Sequence, residues 1–543
     1  MANQITQIPE IMNEPVLAYA PGSSERHLLK KAIVELKSNT KEIPMIINGQ
    51  SVRSGETKDI FAPHELSHKL GFYHRGSRQH VQMAVDAALA AKAQWENTPW
   101  KERAAIFLKA ADLIAGKYRP LMNAMTMLGQ SKNVFQSEID AVCEYCDFLR
   151  FNVKFLTEIY SVLPDSSPLV WNQMEYRPLE GFVFALTPFN FTSIAGNLPC
   201  APALMGNVIV WKPAETQIYS ASLIMEILIE SGLPQGVINL VFVDGPTAGE
   251  VIFKHKLFAG LHFTGSTQVF KNIWKTVSAN LDLYCSFPRL VGETGGKDFV
   301  VVHASANVKV AAIALLRGAF EFQGQKCSAA SRAYIPASLW PAIKELMLQD
   351  LKGMKMGSPE DFSNFINAVI DQKSFLKIQE YIENAKANDQ VELVYGGHCD
   401  QSVGYFIQPT ILHSKTPDST TMCEEIFGPV LTVYVYEDSK FEETLNLVDK
   451  TSPYALTGAI LAQDREAIHL AMHVLRYAAG NFYINDKPTG AVVSQQPFGG
   501  SRASGTNDKA GSSLNLLRWV SPRSIKENFM PPVSYRYPFL DEA

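Results

Sequence analysis

Along residues 46–76 apolar and polar side chains alternate, as in MIINGQSV and KLGFYH, and this period of two predicts short strands. The period then lengthens to that of a helix. Ser77 stands where a cap belongs, and Val81, Ala84, Val85, Ala88 and Leu89 share one face of a helix running to about Glu96. A second helix is expected from about Trp100 to Tyr118. A third, near 136–160, carries Ile139, Val142, Tyr145 and Phe148 on its apolar side. Before all of these, one short amphipathic helix near 24–37 interrupts an otherwise polar start.

After Gly181 short apolar runs (GFVFALT, NVIVWKP, INLVFVD, GLHFTG) alternate with helical patterns at 196–206, 217–231, 247–255 and 267–279. A second such stretch begins with FVVVH near Phe299 and continues through AYIPAS, LTVYVYED and GAILAQD. Strand–helix alternation of this kind predicts βαβ units and parallel sheets. The expected fold class is therefore α/β, with two lobes and an irregular tail. Residues 1–290 form the first unit, with a bridging segment at about 160–180. Residues 291–500 form the second. The tail, 501–543, becomes rich in Pro, Tyr and Arg beyond about 506 and carries little core signal.

Charge narrows the function. Lys plus Arg number 49 and Asp plus Glu 54, so a mildly acidic chain without a basic run is a poor binder of nucleic acid or of a membrane surface. Seven cysteines, sparse and odd in number, point to reduced thiols. The N-terminal stretch lacks an apolar core after a basic start, and Glu10 and Glu14 precede its first arginine, Arg26. Cytoplasmic residence is expected, with the mitochondrial matrix as the alternative if a targeting peptide has been removed. Gly181–Trp211 is uncharged and long enough to span a bilayer, but Pro188, Pro199, Pro202, Asn190, Asn197 and Asn207 favour a buried strand, loop and helix.

Several patterns compete for the chemistry. HELSHKLGFYH (64–74) satisfies a zinc-protease spacing, with His64, His68, His74 and Glu65 in the formal positions. That chemistry needs a helix, whereas Pro63 precedes His64 and KLGFYH alternates like a strand, so a hairpin with solvated histidines and no metal is expected. GLHFTGST places Ser266 where a phosphate loop needs lysine. Cys143 and Cys146 form a lone C-x-x-C on a predicted helix, without the second pair a zinc site requires. No G-x-G-x-x-G occurs.

Three motifs carry more: LTPFNFT (186–192), GETGGK (292–297) and GQKCSA (324–329). Each alone is weak. Together they supply a thiol nucleophile for a carbonyl carbon (Cys327), small neighbours that leave room for a substrate, a side-chain amide for the resulting oxyanion (Asn190), and a carboxylate on a glycine-flanked loop as general base (Glu293).

With WKPAE (211–215), FTGS (263–266), EEIFGPV (424–430) and PFGGSRASG (497–505), these motifs stand in the order of the aldehyde dehydrogenase superfamily, which the chain resembles over about 40–530. The longer phrases PFNFTSIAGNL, LRGAFEFQGQKCSAASR and GNFYINDKPTGAVVSQQPFGGSRASGTNDK, with the tail LLRWVSPRSIKE, look most like its glutamate-semialdehyde (Δ1-pyrroline-5-carboxylate) branch. The resemblance implies a Rossmann-like NAD lobe, a catalytic lobe holding the cysteine, and a small oligomerisation element in a homodimer or larger homo-oligomer. It implies NAD-dependent oxidation of L-glutamate γ-semialdehyde to glutamate in proline catabolism. In that scheme Cys327 forms a thiohemiacetal and then a thioester, Asn190 and the Cys327 N–H hold the oxyanion, and Glu293 activates water.

The resemblance also implies where NAD would bind. Lys212 and Glu215 would face the adenosine ribose, and a carboxylate there favours NAD over NADP. Gly265 and Ser266 would open a helix near the pyrophosphate. Thr187, Phe189, Gly249 and Val269 would line the same cleft, and Glu425 and Phe427 would position the nicotinamide half. Gly490, Ala491 and Ser328 would grasp the substrate α-carboxylate, with Phe498 on its aliphatic part. The rival readings are an aldehyde dehydrogenase for another ω-semialdehyde, a catalytically silent relative and, in another class, the zinc protease.

Overall fold

The computed structural model describes residues 8–541. Residues 1–7 of the stretch read for targeting, and 542–543 of the tail, lie outside the described residues. Two seven-stranded sheets organise the chain. The strands of the first, in chain order, are β1 (Met45–Ile47), β2 (Gln50–Val52), β3 (Phe182–Thr187), β4 (Val208–Pro213), β5 (Ile238–Leu240), β6 (Phe258–Thr264) and β7 (Arg289–Glu293). Their spatial order is β7-β6-β3-β4-β5-β1-β2. The first five of these are parallel, and β1 and β2 close the edge antiparallel. The second sheet contains β8 (Asp298–Val302), β9 (Ala330–Pro336), β10 (Val391–Tyr395), β11 (Thr410–Ser414), β12 (Val430–Tyr436), β13 (Thr457–Leu461) and β14 (Asn481–Ile484). Its order is β10-β11-β12-β9-β8-β13-β14, parallel except for β10. Helices cover both sheets, which is why β4, β6 and β8 are buried at every position and read as continuous apolar runs.

The expected helices at 24–37 and from Ser77 onward are Ser24–Lys37 and Arg78–Asn97, the latter capped by Ser77. The uncharged run folds as β3, helix Thr192–Leu204 and β4, and no helix of the described residues is long and apolar enough to cross a membrane. Three expectations need correction. Helix Arg119–Gln130 was not foreseen, although Leu121, Met122, Met125 and Leu128 recur at helical spacing; it is buried nearly all round, its polar Asn123, Thr126 and Gln130 included. The helix expected at 136–160 contains a π-helical segment, Glu138–Glu144. The wider turn lets two buried acids face different partners: Glu138 accepts from Tyr19 Oη and Asn123 Nδ2, both at 2.8 Å, while Asp140 pairs with Lys132 Nζ at 2.6 Å. The helix expected at 196–206 begins at Thr192, because its cap comes from elsewhere in the chain. Asp140 accepts the N–H groups of Thr192 (3.0 Å) and Ser193 (2.9 Å).

The tail holds more core than its sequence suggests. Leu516, Trp519 and Val520 are buried, and Trp519 packs on His262 with ring centroids 4.7 Å apart. Beyond them Val520–Asn528 pairs antiparallel with Val170–Pro178 in a two-stranded ribbon. Trp171 and Phe529 lie exposed on it, and Met530, Tyr535 and Phe539 are exposed beyond it.

Removing one partner of a buried ion pair leaves an uncompensated charge, at a cost of about 3–5 kcal/mol. Asp140→Ala, which also strips the cap from Thr192–Leu204, is expected to lower stability by about that amount. A lower urea midpoint at unchanged slope checks it.

Candidate active site

The site lies where the carboxyl ends of β3 and β7 of the first sheet, followed or ended by Asn190 and Glu293, meet the amino ends of β8 and β9 of the second, opened or preceded by Asp298 and Cys327. The cysteine loop is shaped by an unusual turn. Phe322, Gln323 and Gly324 all have positive φ (50°, 54° and 64°). A Cβ at Gly324 would lie 2.2 Å from Gly428 O, so only glycine fits there. The buried Gln323 holds the turn by donating from Nε2 to Ala368 O (2.8 Å) and Ser131 O (3.1 Å). The chain then delivers Cys327 just ahead of β9. Asn190, on the loop after β3, donates from Nδ2 to Gln325 O at 3.0 Å. One amide hydrogen thus docks the PFN loop on the cysteine loop, and the other remains for an oxyanion.

Glu293 ends β7. Its backbone bridges to Gly505, where a Cβ would lie 2.1 Å from Gly292 O. Thr294 N donates to Ser504 O at 3.1 Å and Thr294 Oγ1 to Ala503 O at 2.6 Å, so the GETGGK and SRASG motifs brace each other. Cys327, Glu293, Ser328, Gly490, Ala491 and Phe498 line one cavity of about 430 Å³. Within it Ser328 Oγ and Thr489 Oγ1 lie 2.8 Å apart, and Gly490 has φ +98°.

The electrostatics of the cavity favour protonated acids. Burial, then the nearby Asp508 carboxylate, push the Glu293 carboxyl up to about 8, opposed by Lys509. Burial first, and then Glu293, Asp298 and Glu425, push the Cys327 thiol well above its usual range. In this state the thiol keeps its proton, and a base must take it when the sulfur adds to a carbonyl.

Most of the residues expected to hold NAD lie at or just beyond the carboxyl ends of β3, β4 and β6, and Gly249 and Val269 lie in the helices that follow β5 and β6. Thr187 Oγ1 accepts Trp211 Nε1 at 3.1 Å. Lys212 is buried at the end of β4, and Glu215 follows in a 3₁₀ turn, ion-paired with Lys58. Ser266 caps helix Thr267–Ala279, accepting the Val269 N–H. Gly265 permits the close turn before it, since a Cβ there would lie 2.9 Å from the Phe263 ring. Gly249 lies in helix Gly245–Ile252, and Val269 is exposed. On the facing side Phe427 packs edge-on against Phe189, with centroids 5.8 Å apart, and Glu425 Oε1 accepts the Gly296 N–H at 2.9 Å. An exposed helix N-terminus after β6 and a carboxylate after β4, both beyond the carboxyl ends of parallel strands, suit a dinucleotide.

HELSHKLGFYH is instead strand Glu65–His74. His74 Nε2 pairs with Glu42 at 2.8 Å, His64 lies 3.6 Å from Glu360, and His68 Nε2 has no partner among the described residues, so the three histidines share no site; His64 and His74 are buried rather than solvated. Sequence reasoning missed Lys132, Asp140 and Glu144. Glu144 lines the cavity, accepts Ser193 Oγ at 2.9 Å and is pushed up to about 8 by burial beside Asp140. Acids inside an otherwise apolar helix, as in EIDAVCEYCDF, were the available signal.

Residues 51–525 match the model of the aldehyde dehydrogenase family. The chain belongs to that family. It is 54% identical to the mitochondrial Δ1-pyrroline-5-carboxylate dehydrogenase of Dictyostelium discoideum, covering 98% of this chain and 96% of the relative. Identity to the mitochondrial enzyme of that name from Bos taurus is 50%, covering 98% and 94%. Among solved structures it is similar to the Δ-pyrroline-5-carboxylate dehydrogenase of Mycobacterium tuberculosis bound with NAD, at 51% identity and TM-score 0.96 over 100% of both chains. The two-sheet architecture described above is thus an aldehyde dehydrogenase fold.

Because only ionised Glu293 can accept a proton from water, the deacylation rate should rise with pH through about 8 and level off above it. Glu293→Gln should remove that limb and leave a pre-steady-state burst of NADH followed by slow turnover. Burst kinetics across pH 6–10 check both outcomes.

Proposed function

We infer that this aldehyde dehydrogenase oxidises L-glutamate γ-semialdehyde, the open form of Δ1-pyrroline-5-carboxylate, to L-glutamate in proline catabolism, with NAD as acceptor. The observation that carries the reading is one cavity lined by a thiol, a carboxyl and a glycine turn flanked by hydroxyls. The relatives at about half identity, which bear the matching name, support it.

The residues act in order. Cys327 Sγ adds to the aldehyde carbon as its proton passes to Glu293, which gives that proton up to solvent before the second half of the reaction. The spare Asn190 amide hydrogen and the Cys327 N–H hold the oxyanion. NAD, when bound along Lys212, Glu215, Ser266 and Phe427, supplies the acceptor for the hydride of the aldehyde carbon. The acyl group then sits on Sγ as a thioester. Glu293 takes a proton from water, the hydroxide adds to the acyl carbon, and the thiolate leaves as the acid forms. Gly490 and Ala491 N–H groups with Ser328 Oγ bind the α-carboxylate, while Phe498 covers the methylenes.

We further propose that the exposed ribbon of Val170–Pro178 and Val520–Asn528, with its aromatic residues, is covered by a second copy in a homodimer or larger assembly. Cytoplasmic residence is proposed, with the mitochondrial matrix as the alternative that the relatives' names favour.

Cys327→Ala should abolish aldehyde oxidation while NAD binding, followed by quenching of intrinsic fluorescence, persists. Glutamate semialdehyde should exceed an aldehyde of equal length without the α-carboxylate in kcat/KM. Each unpaired donor costs about 1–3 kcal/mol, so two or three imply on the order of 10²–10⁴-fold. Ala491→Pro, which deletes one N–H, should shrink that ratio, whereas Ala491→Ser should not. Equal rates for simple aliphatic aldehydes would overturn the substrate assignment. Sedimentation at micromolar concentration should show no monomer.

A further inference from the structure

Asp298 opens β8 directly after the GETGGK loop, and the steps above do not use it. Its side chain is buried, at 2% exposure. Oδ1 accepts the Thr457 N–H at 2.7 Å. Oδ2 has no hydrogen-bond donor among the described residues. Gly296 shows where that oxygen points: a Cβ there would lie 2.3 Å from Asp298 Oδ2 and 2.3 Å from Cys327 O. The carboxyl oxygen and the cysteine's carbonyl oxygen therefore flank the same glycine.

The charged and titratable groups around this carboxyl are Cys327, Glu425, Tyr483, Arg332 and Lys297. Neither cation pairs with it. Arg332 donates to Lys297 O (2.7 Å), Tyr334 Oη (3.0 Å) and Val448 O (3.0 Å), and Lys297 Nζ has no partner among the described residues. An ionised carboxylate offers only lone pairs, so a buried Oδ2 whose neighbour across Gly296 is a second acceptor would be left unsatisfied. A proton on Oδ2 removes that penalty, because a donor then faces the carbonyl.

We propose that Asp298 is a positioning residue: a neutral carboxylic acid whose Oδ2–H braces the Cys327 carbonyl and so sets the loop that carries the nucleophile and its oxyanion N–H. Burial pushes this carboxyl well above the usual range, in keeping with that form. Neutrality also spares the thiolate one negative neighbour, since Glu293 and Glu425 already oppose its ionisation. The inference rests on Cys327 as the nucleophile.

Infrared difference spectra of the wild type against Asp298→Asn at pH 7 should show the C=O stretch of a protonated carboxyl that the variant lacks. The pH midpoint for alkylation of Cys327 by iodoacetamide, identified by its loss in Cys327→Ala, should move by less than about 0.3 unit in Asp298→Asn, which should keep kcat within about threefold. Asp298→Ala, which removes the brace, should lower kcat by about tenfold or more with KM for NAD unchanged. No protonated-carboxyl band, or an alkylation midpoint lowered by about one unit in Asp298→Asn, would identify Asp298 as an anion and overturn the proposal. Wild-type kcat in Asp298→Ala would overturn the bracing role. The infrared band does not depend on which residue attacks the aldehyde, so turnover retained in Cys327→Ala would fault the nucleophile assignment alone.

Discussion

The carboxylate of Asp140 is the constraint from which the site is built. It is fully buried, yet satisfied on both oxygens: Oδ2 accepts Lys132 Nζ and the Thr192 N–H, and Oδ1 accepts the N–H and hydroxyl of Ser193. A buried charge is tolerated only when paired and hydrogen-bonded, so this geometry leaves the helix little freedom to slide or rotate. The loop entering that helix carries Asn190, and Asn190 reaches Gln325 O in the cysteine loop. One carboxylate therefore sets the helix, the helix sets the amide, and the amide ties β3 of the first sheet to the cysteine loop beside the second.

Around this frame, acids accumulate. Glu144, Glu293, Asp298 and Glu425 all sit in or beside the cavity, and burial raises each of them. Were all four ionised, the field would oppose both a thiolate and an anionic substrate. Desolvation eases the conflict by favouring the protonated form of each, and a carboxyl that titrates near neutrality suits a general base. The same burial that costs stability thus tunes the chemistry.

Much of this was legible in the sequence, for identifiable reasons. Strands buried on both faces appear as unbroken runs such as DFVVV, and Ser77 and Ser266 cap helices within three residues of themselves, so local signals sufficed. The motifs of Cys327 and Glu293 stood out because small residues and glycines flank them, and that of Asn190 because an amide interrupts two phenylalanines; the structure brings Cys327 and Glu293 to one cavity and docks Asn190 on the cysteine loop. What escaped was non-local. The start of helix Thr192–Leu204 depends on an acid 52 positions upstream, and the π-turn at Glu138–Glu144 exists to satisfy two buried acids at once. Helix Arg119–Gln130 does carry a helical repeat in Leu121, Met122, Met125 and Leu128, but its polar face is buried too, with Asn123, Thr126 and Gln130 bonded inside the protein. Asp298 reads as a polar start to an apolar strand, and only Gly296 between it and Cys327 reveals its position.

The packing of Trp519 bears on how the chain comes to fold. Its carbonyl accepts Asn207 Nδ2 at 2.8 Å across 312 residues, and its indole lies against His262 in the middle of the first sheet. During synthesis β3, β4 and β6 emerge long before this plug, and strand Val170–Pro178 waits equally long for Val520–Asn528. The second lobe, whose strands are all made in between, has its partners first. Contacts so distant in sequence are slow to close, and an exposed sheet face and an unpaired edge invite association with other chains meanwhile. The first part of the polypeptide to be made is thus the last to be completed, and the interval before Trp519 seats is the period in which a nascent chain most needs protection.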